Sequence, residues 1–95
     1  MENDTIGLIV TSLAGRDKGR AFVVVGRADG EHLLIADGKL RTAAKPKKKK
    51  LKHLRFAQDR VDIGARLGNS GTADAFIRSS LMELGYTQSS IIKEG

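Results

Sequence analysis

Between residues 6 and 25 the chain reads IGLIVTSLAGRDKGRAFVVV: an apolar run, a polar loop with a glycine at each end, and a second apolar run. Ile6, Leu8 and Val10 alternate with Gly7, Ile9 and Thr11, and Phe22 and Val24 alternate with Ala21, Val23 and Val25. A period of two in β-branched residues bounded by turn formers predicts paired strands, here over 6–13 and 20–27. The loop Gly15-Arg16-Asp17-Lys18-Gly19 is too long for a two-residue hairpin and suits one in which glycine supplies positive φ. Arg16, Lys18 and Arg20 crowd its tip.

The alternation continues. Asp29-Gly30 is a hairpin signal, and EHLLIA at 31–36 predicts a third strand. Asp37-Gly38 predicts another tight turn, and KLRTA at 39–43 a short fourth strand. Lys45 precedes Pro46, which holds Lys45 extended and interrupts a ladder. HLRFA at 53–57 predicts a fifth strand, with Leu54 and Phe56 alternating against His53 and Arg55. Short strands at close spacing predict a mainly β fold, a small barrel whose closure hides its edges. After Gln58 the period is lost. Val61 to Gly71 contains three glycines and predicts a linker. The spacing of Ala73, Phe76, Ile77, Leu81 and Leu84 predicts one α-helix over 72–84, capped by Thr72, with Asp74 in its first turn and Gly85 as its terminator. The expected organisation is a barrel over 1–58 that includes a basic segment at 38–55, a linker at 59–71, a helix at 72–85 and a tail at 86–95. The first residues, 1–5, are expected to fray.

Ninety-five residues bound this to one small domain. With three Phe, one Tyr and no Trp, its core must be aliphatic. The absence of cysteine excludes a disulfide framework, a thiolate metal site and a thiol nucleophile. No apolar run approaches the ~20 residues of a membrane span. The acidic start Met1-Glu2-Asn3-Asp4 is unlike a signal peptide, so the Asn3-Asp4-Thr5 sequon is read as chance and a cytoplasmic location is expected.

Charge changes the picture most. Nine of the seventeen Lys and Arg residues (Lys39, Arg41, Lys45, Lys47, Lys48, Lys49, Lys50, Lys52 and Arg55) fall between residues 38 and 58, where there is no acid. The rest of the chain holds eight cations against eleven acids, a balance of −3. A mildly acidic body carrying one strongly basic segment points to a polyanionic partner. Four adjacent lysines repel one another and need solvent or an anion. Lysine suits phosphate neutralisation rather than base reading. The bland alternative for the run is a solvated, disordered loop or a nuclear address. No basic amphipathic helix or lipidation signal supports a membrane partner.

Catalytic chemistry finds little footing. His32 and His53 are the only histidines, and neither stands at a metal-ligand spacing. Asp59 and Asp62 read as a solvated loop rather than an acid pair. Gly15 to Gly19 is one residue short of the phosphate-loop pattern, lacks its Lys-Ser/Thr ending, and leads into a strand rather than a helix. No enzyme activity, cofactor, metal or small-molecule substrate is expected. The tip is either a plain turn or a loop whose N–H groups and flanking Arg16, Lys18 and Arg20 meet RNA phosphates.

The run Gly7-Leu8-Ile9-Val10-Thr11-Ser12-Leu13-Ala14-Gly15-Arg16-Asp17-Lys18-Gly19-Arg20 resembles the KOW motif of ribosomal proteins and transcription-elongation factors: an apolar strand, a basic loop, a glycine (here Gly19) and a second apolar strand. With 34–41 (LIADGKLR) and 45–54 (KPKKKKLKHL) it looks like the small bacterial KOW-domain RNA-binding proteins related to the fourteen-e family of large-subunit ribosomal proteins. The likeness covers about residues 7–54 and stops after Gln58. It implies an SH3-like β-barrel and RNA binding in a ribosomal context, with ribosomal RNA and the large subunit as partners. The residues expected to meet RNA are Arg16, Lys18, Arg20, Lys39, Arg41, Lys45, Lys47, Lys48, Lys49, Lys50, Lys52, His53 and Arg55, with Gly15 and Gly19 shaping the turn. A protein-interaction module of the transcription machinery is the alternative, weakened by the lysine content, since interface cores are depleted in Lys.

Overall fold

Alternating apolar residues build a five-stranded antiparallel sheet, β1 (Leu8–Ser12), β2 (Ala21–Arg27), β3 (His32–Ala36), β4 (Lys47–Lys50) and β5 (Leu54–Arg60), followed by one helix, α1 (Ser70–Glu83). The computed structural model describes residues 5–86; the N-terminal segment expected to fray lies outside them up to residue 4, as does the tail from residue 87. The strand order is β4-β3-β2-β1-β5. The strands at 6–13, 20–27 and 31–36 are therefore present, with Ile9 opposite Val23 and Val24 opposite Ile35.

Alternation sends side chains to both faces of the sheet, and both are covered. Val10, Phe22, Val24, Leu33, Ile35 and Leu54 form one buried cluster on one side. Ile9, Ala21, Val23 and Ala36 face the other way, against Ile63, Ala73, Ile77 and Leu81. Each buried Val, Leu, Ile or Phe side chain contributes roughly 1.5–3 kcal/mol relative to exposure.

The fourth strand is not the one the pattern predicts. Residues 39–43 form bends, and the lysine run forms β4 instead. Asp37 is the cause. Its Oδ1 accepts the N–H groups of both Lys39 and Arg41 at 2.9 Å, which curls the chain away from an extended path. The lysines tolerate a strand because successive side chains leave on opposite faces. Lys47 and Lys49 stand opposite Ile35 and Leu33, while Lys48 and Lys50 stand opposite Leu34 and His32. A lysine-rich strand at the sheet edge also discourages pairing with another chain.

The expected closure into a barrel is not reached: β4 and β5 are the two edges of an open sheet. The sheet is nevertheless strongly curled. Only the 3₁₀ turn Leu51–His53 joins these outermost strands. Four residue steps reach at most about 14 Å, whereas a flat five-stranded sheet would hold its edges about 19 Å apart. The turn is tied to both sides: Leu51 N–H donates to the Glu31 carbonyl at 2.8 Å, and Leu13 N–H donates to the His53 carbonyl at 2.8 Å. Register shifts between Leu8 and Val10, and between Val24 and Gly26, bend the strands further.

The segment read as a linker is structural. β5 runs on to Arg60, and Ile63 is fully buried under the sheet before a 3₁₀ turn at Gly64–Arg66. The helix begins at Ser70, and its cap is Asn69 rather than Thr72: the Asn69 side chain accepts the Thr72 N–H at 3.1 Å. Asp74 thus lies beyond the first turn. Ala73, Ile77 and Leu81 pack as the spacing predicts, Phe76 is half-buried beneath Arg66, and Leu84 is exposed. Gly85 has φ of 90°, as a helix terminator requires. Tyr86, assigned to the tail, donates its hydroxyl to Asp59 at 2.7 Å. Among the described residues no helix is long and apolar enough to cross a membrane.

Candidate nucleic-acid interface

The loop at 13–20 is held by its two terminal glycines, Gly15 at φ 84° and Gly19 at φ 88°. Gly19 N–H donates to the Ser12 carbonyl at 2.8 Å, and Arg20 N–H to the Asp17 carbonyl at 2.9 Å. This turns Asp17 inward and leaves Arg16 and Lys18 exposed. Arg20 is not a free cation. Its Nη2 lies 3.1 Å from Asp37 Oδ2.

The lysine run is divided by its own pleat. Lys49 is only 7% exposed; its Nζ donates to the Ala14 carbonyl at 2.8 Å and to Asp17 Oδ1 at 3.1 Å. Lys47 Nζ is 3.5 Å from Asp17 Oδ2, and the Ser12 hydroxyl donates to Asp17 Oδ1 at 2.9 Å. Burial pushes the Asp17 carboxyl up. The hydrogen bonds from Ser12 and Lys49 and the charges of Lys49 and Lys47 outweigh it and hold the group below its ordinary value of 3.8. Lys48 and Lys50 point into solvent.

Lys39, Arg41 and Lys45 are exposed on the loop that follows Asp37. That loop is fastened to α1. Ala43 N–H donates to Asp74 Oδ1 at 2.7 Å, and Arg78 Nη1 donates to the Gly38 carbonyl. Gly38 has φ of 79°, and a Cβ there would clash with the Asp74 carbonyl oxygen. Lys52 and Arg55 are exposed, and His53 is half-buried.

The fold therefore brings together cations from three separate stretches. Arg16 and Arg20 from the tip, Arg41 from the loop and Lys47 from β4 line one cleft of about 400 Å³, with Asp17, Phe22, Asp37 and Leu40. Lys48, Lys50, Lys52 and Arg55 lie outside this lining.

No known family model matches the chain.

Reading the sequence for cations alone misses the acids that place them. Asp17, Asp37 and Asp74 orient Lys49, Arg20 and the 39–45 loop respectively. A lone acid between Arg16 and Lys18 is the one local signal for the first. Phe56, 40% exposed beside Arg55, is a further surface aromatic absent from the expected RNA-contacting set. His32 Nδ1 lies 2.9 Å from Asp29 Oδ1, and among the described residues no three His, Asp or Glu side chains gather as a metal site.

Proposed function

We propose that this protein binds structured RNA, in a ribosomal context, through the phosphate backbone. The observation that carries the reading is the convergence of Arg16, Arg41 and Lys47 on one cleft from three separate stretches of chain. Further exposed cations stand on the tip (Lys18), the loop (Lys39 and Lys45), β4 (Lys48 and Lys50), and at Lys52 and Arg55. Such an array neutralises phosphates whatever the base sequence, and reads shape rather than letters. The KOW-like run at 7–20 and the curled five-stranded antiparallel sheet support the same reading. They favour ribosomal RNA of the large subunit, met in the cytoplasm and without enzymatic turnover. The test is sedimentation of lysate at moderate salt. The protein should travel with the large ribosomal subunit; co-purification with RNA polymerase and absence from ribosomal fractions would contradict the proposal.

A further inference from the structure

We propose that the cleft between the tip and the 37–41 loop receives one unpaired nucleotide, its base against Leu40 and its phosphate between Arg16 and Arg41. This rests on the RNA-binding reading and sharpens it: the preferred ligand is a helix with an extruded nucleotide, not an uninterrupted duplex.

The cleft is a built site. Asp17 is fixed by Ser12 and Lys49 on the tip side. Asp37 is fixed by the Lys39 and Arg41 N–H groups on the loop side, and α1 holds the loop from behind through Arg78 and Asp74. The Arg20–Asp37 pair at 3.1 Å ties the two walls together. Walls already ordered before binding lose little freedom on binding.

Its chemistry is not that of a plain phosphate patch. Leu40 is 72% exposed, on a wall otherwise rich in charge. Among the described residues the guanidinium groups of Arg16 and Arg41 have no carboxylate partner, while the lining acids Asp17 and Asp37 are already satisfied by Lys49, Lys47 and Arg20. A planar guanidinium offers a phosphate two parallel hydrogen bonds and offers a base a flat cationic face. An apolar contact beside it suits the face of a base. A paired base hides that face in the stack, so only a bulged or looped-out base can present it. The size agrees: about 400 Å³ lies near the small end of single-ligand sites, roughly 300–1,000 Å³.

The experiment compares two RNA hairpins, identical except for a single-nucleotide bulge, by fluorescence anisotropy with the full chain. Wild type should bind the bulged hairpin about tenfold tighter, the scale of burying one exposed apolar side chain. Leu40→Ser should remove that preference, so that the variant binds the two hairpins within about twofold of each other, phosphate contacts being common to both. Leu40 is exposed, so the variant keeps the fold, and circular dichroism verifies this. Equal affinity of wild type for both hairpins overturns the proposal and leaves RNA binding standing. Failure to bind either hairpin overturns both. Adenosine monophosphate binding as tightly as the bulged hairpin would overturn it in favour of a free-nucleotide site.

Discussion

Lys49 on the edge strand and Asp17 at the hairpin tip, thirty-two positions apart in sequence, meet at 3.1 Å with both side chains almost out of solvent. This contact locks the tip onto β4. It also removes one lysine of the run from the surface. Breaking a buried pair from one side leaves a charge without its partner. Asp17→Ala should therefore destabilise the fold by about 3 kcal/mol, the lower end for a buried pair because both groups keep some exposure. The double change Asp17→Asn with Lys49→Met should recover much of that stability. Urea denaturation of the three proteins measures both quantities.

The same contact sets an acid limit. The folded-state carboxyl of Asp17 lies below its ordinary value of 3.8, so its contribution is fully present above that value and is lost as pH falls through the folded value. Urea midpoints taken downward from about pH 5 should fall in wild type below about pH 4, and fall less steeply in Asp17→Asn. Parallel curves would show that other carboxylates dominate the acid limb.

Two glycines with positive φ should respond differently. Gly19 has open space where a Cβ would stand, so Gly19→Ala should cost only the backbone term, about 1–2 kcal/mol. At Gly38 the Cβ would also strike the Asp74 carbonyl oxygen. Gly38→Ala should cost about 3 kcal/mol or more, since the strained φ and the overpacking add. Equal thermal shifts for the two variants would deny the close approach of α1 to the 37–41 loop.

Tyr86 is the only tyrosine, so its ionisation is directly visible by ultraviolet absorbance. The hydrogen bond to Asp59, then burial, then the Asp59 charge raise its pKa above 10.0. The stabilisation from this contact is present below that pH and lost as pH rises through the folded value. Asp59→Asn should bring the midpoint back toward 10.0. An unchanged midpoint would mean that the end of the helix does not dock on β5.

What was legible in the sequence follows from where each element takes its stability. β1, β2 and β3 declare themselves because Ile9, Val10, Phe22, Val24, Leu33 and Ile35 alternate and are buried. β4 does not. Four lysines have no strand signature of their own, and only the distant Asp17 and the pairing with β3 make a strand of them. The 39–43 strand failed for the converse reason: its local pattern fits, but the Asp37 carboxylate claims its N–H groups. The helix face was readable at Ala73, Ile77 and Leu81, whereas its start was obscured by glycines around Asn69. For the interface, the cations were plain in the composition. Which of them are engaged was not, because Arg20 and Lys49 are claimed by acids far along the chain.

The most direct test of phosphate-backbone binding is the dependence of RNA affinity on salt, read as the slope of log K against log salt concentration. Lys48→Ala with Lys50→Ala removes two cations that β4 holds in solvent. The slope should become shallower by at most about 2, one for each phosphate no longer neutralised. Lys49→Met combined with Asp17→Asn, which removes a lysine already bound to Asp17 and Ala14 together with its carboxylate partner, should leave the slope unchanged. A wild-type affinity indifferent to salt, or a Lys48/Lys50 variant with unaltered slope and affinity, would contradict the account.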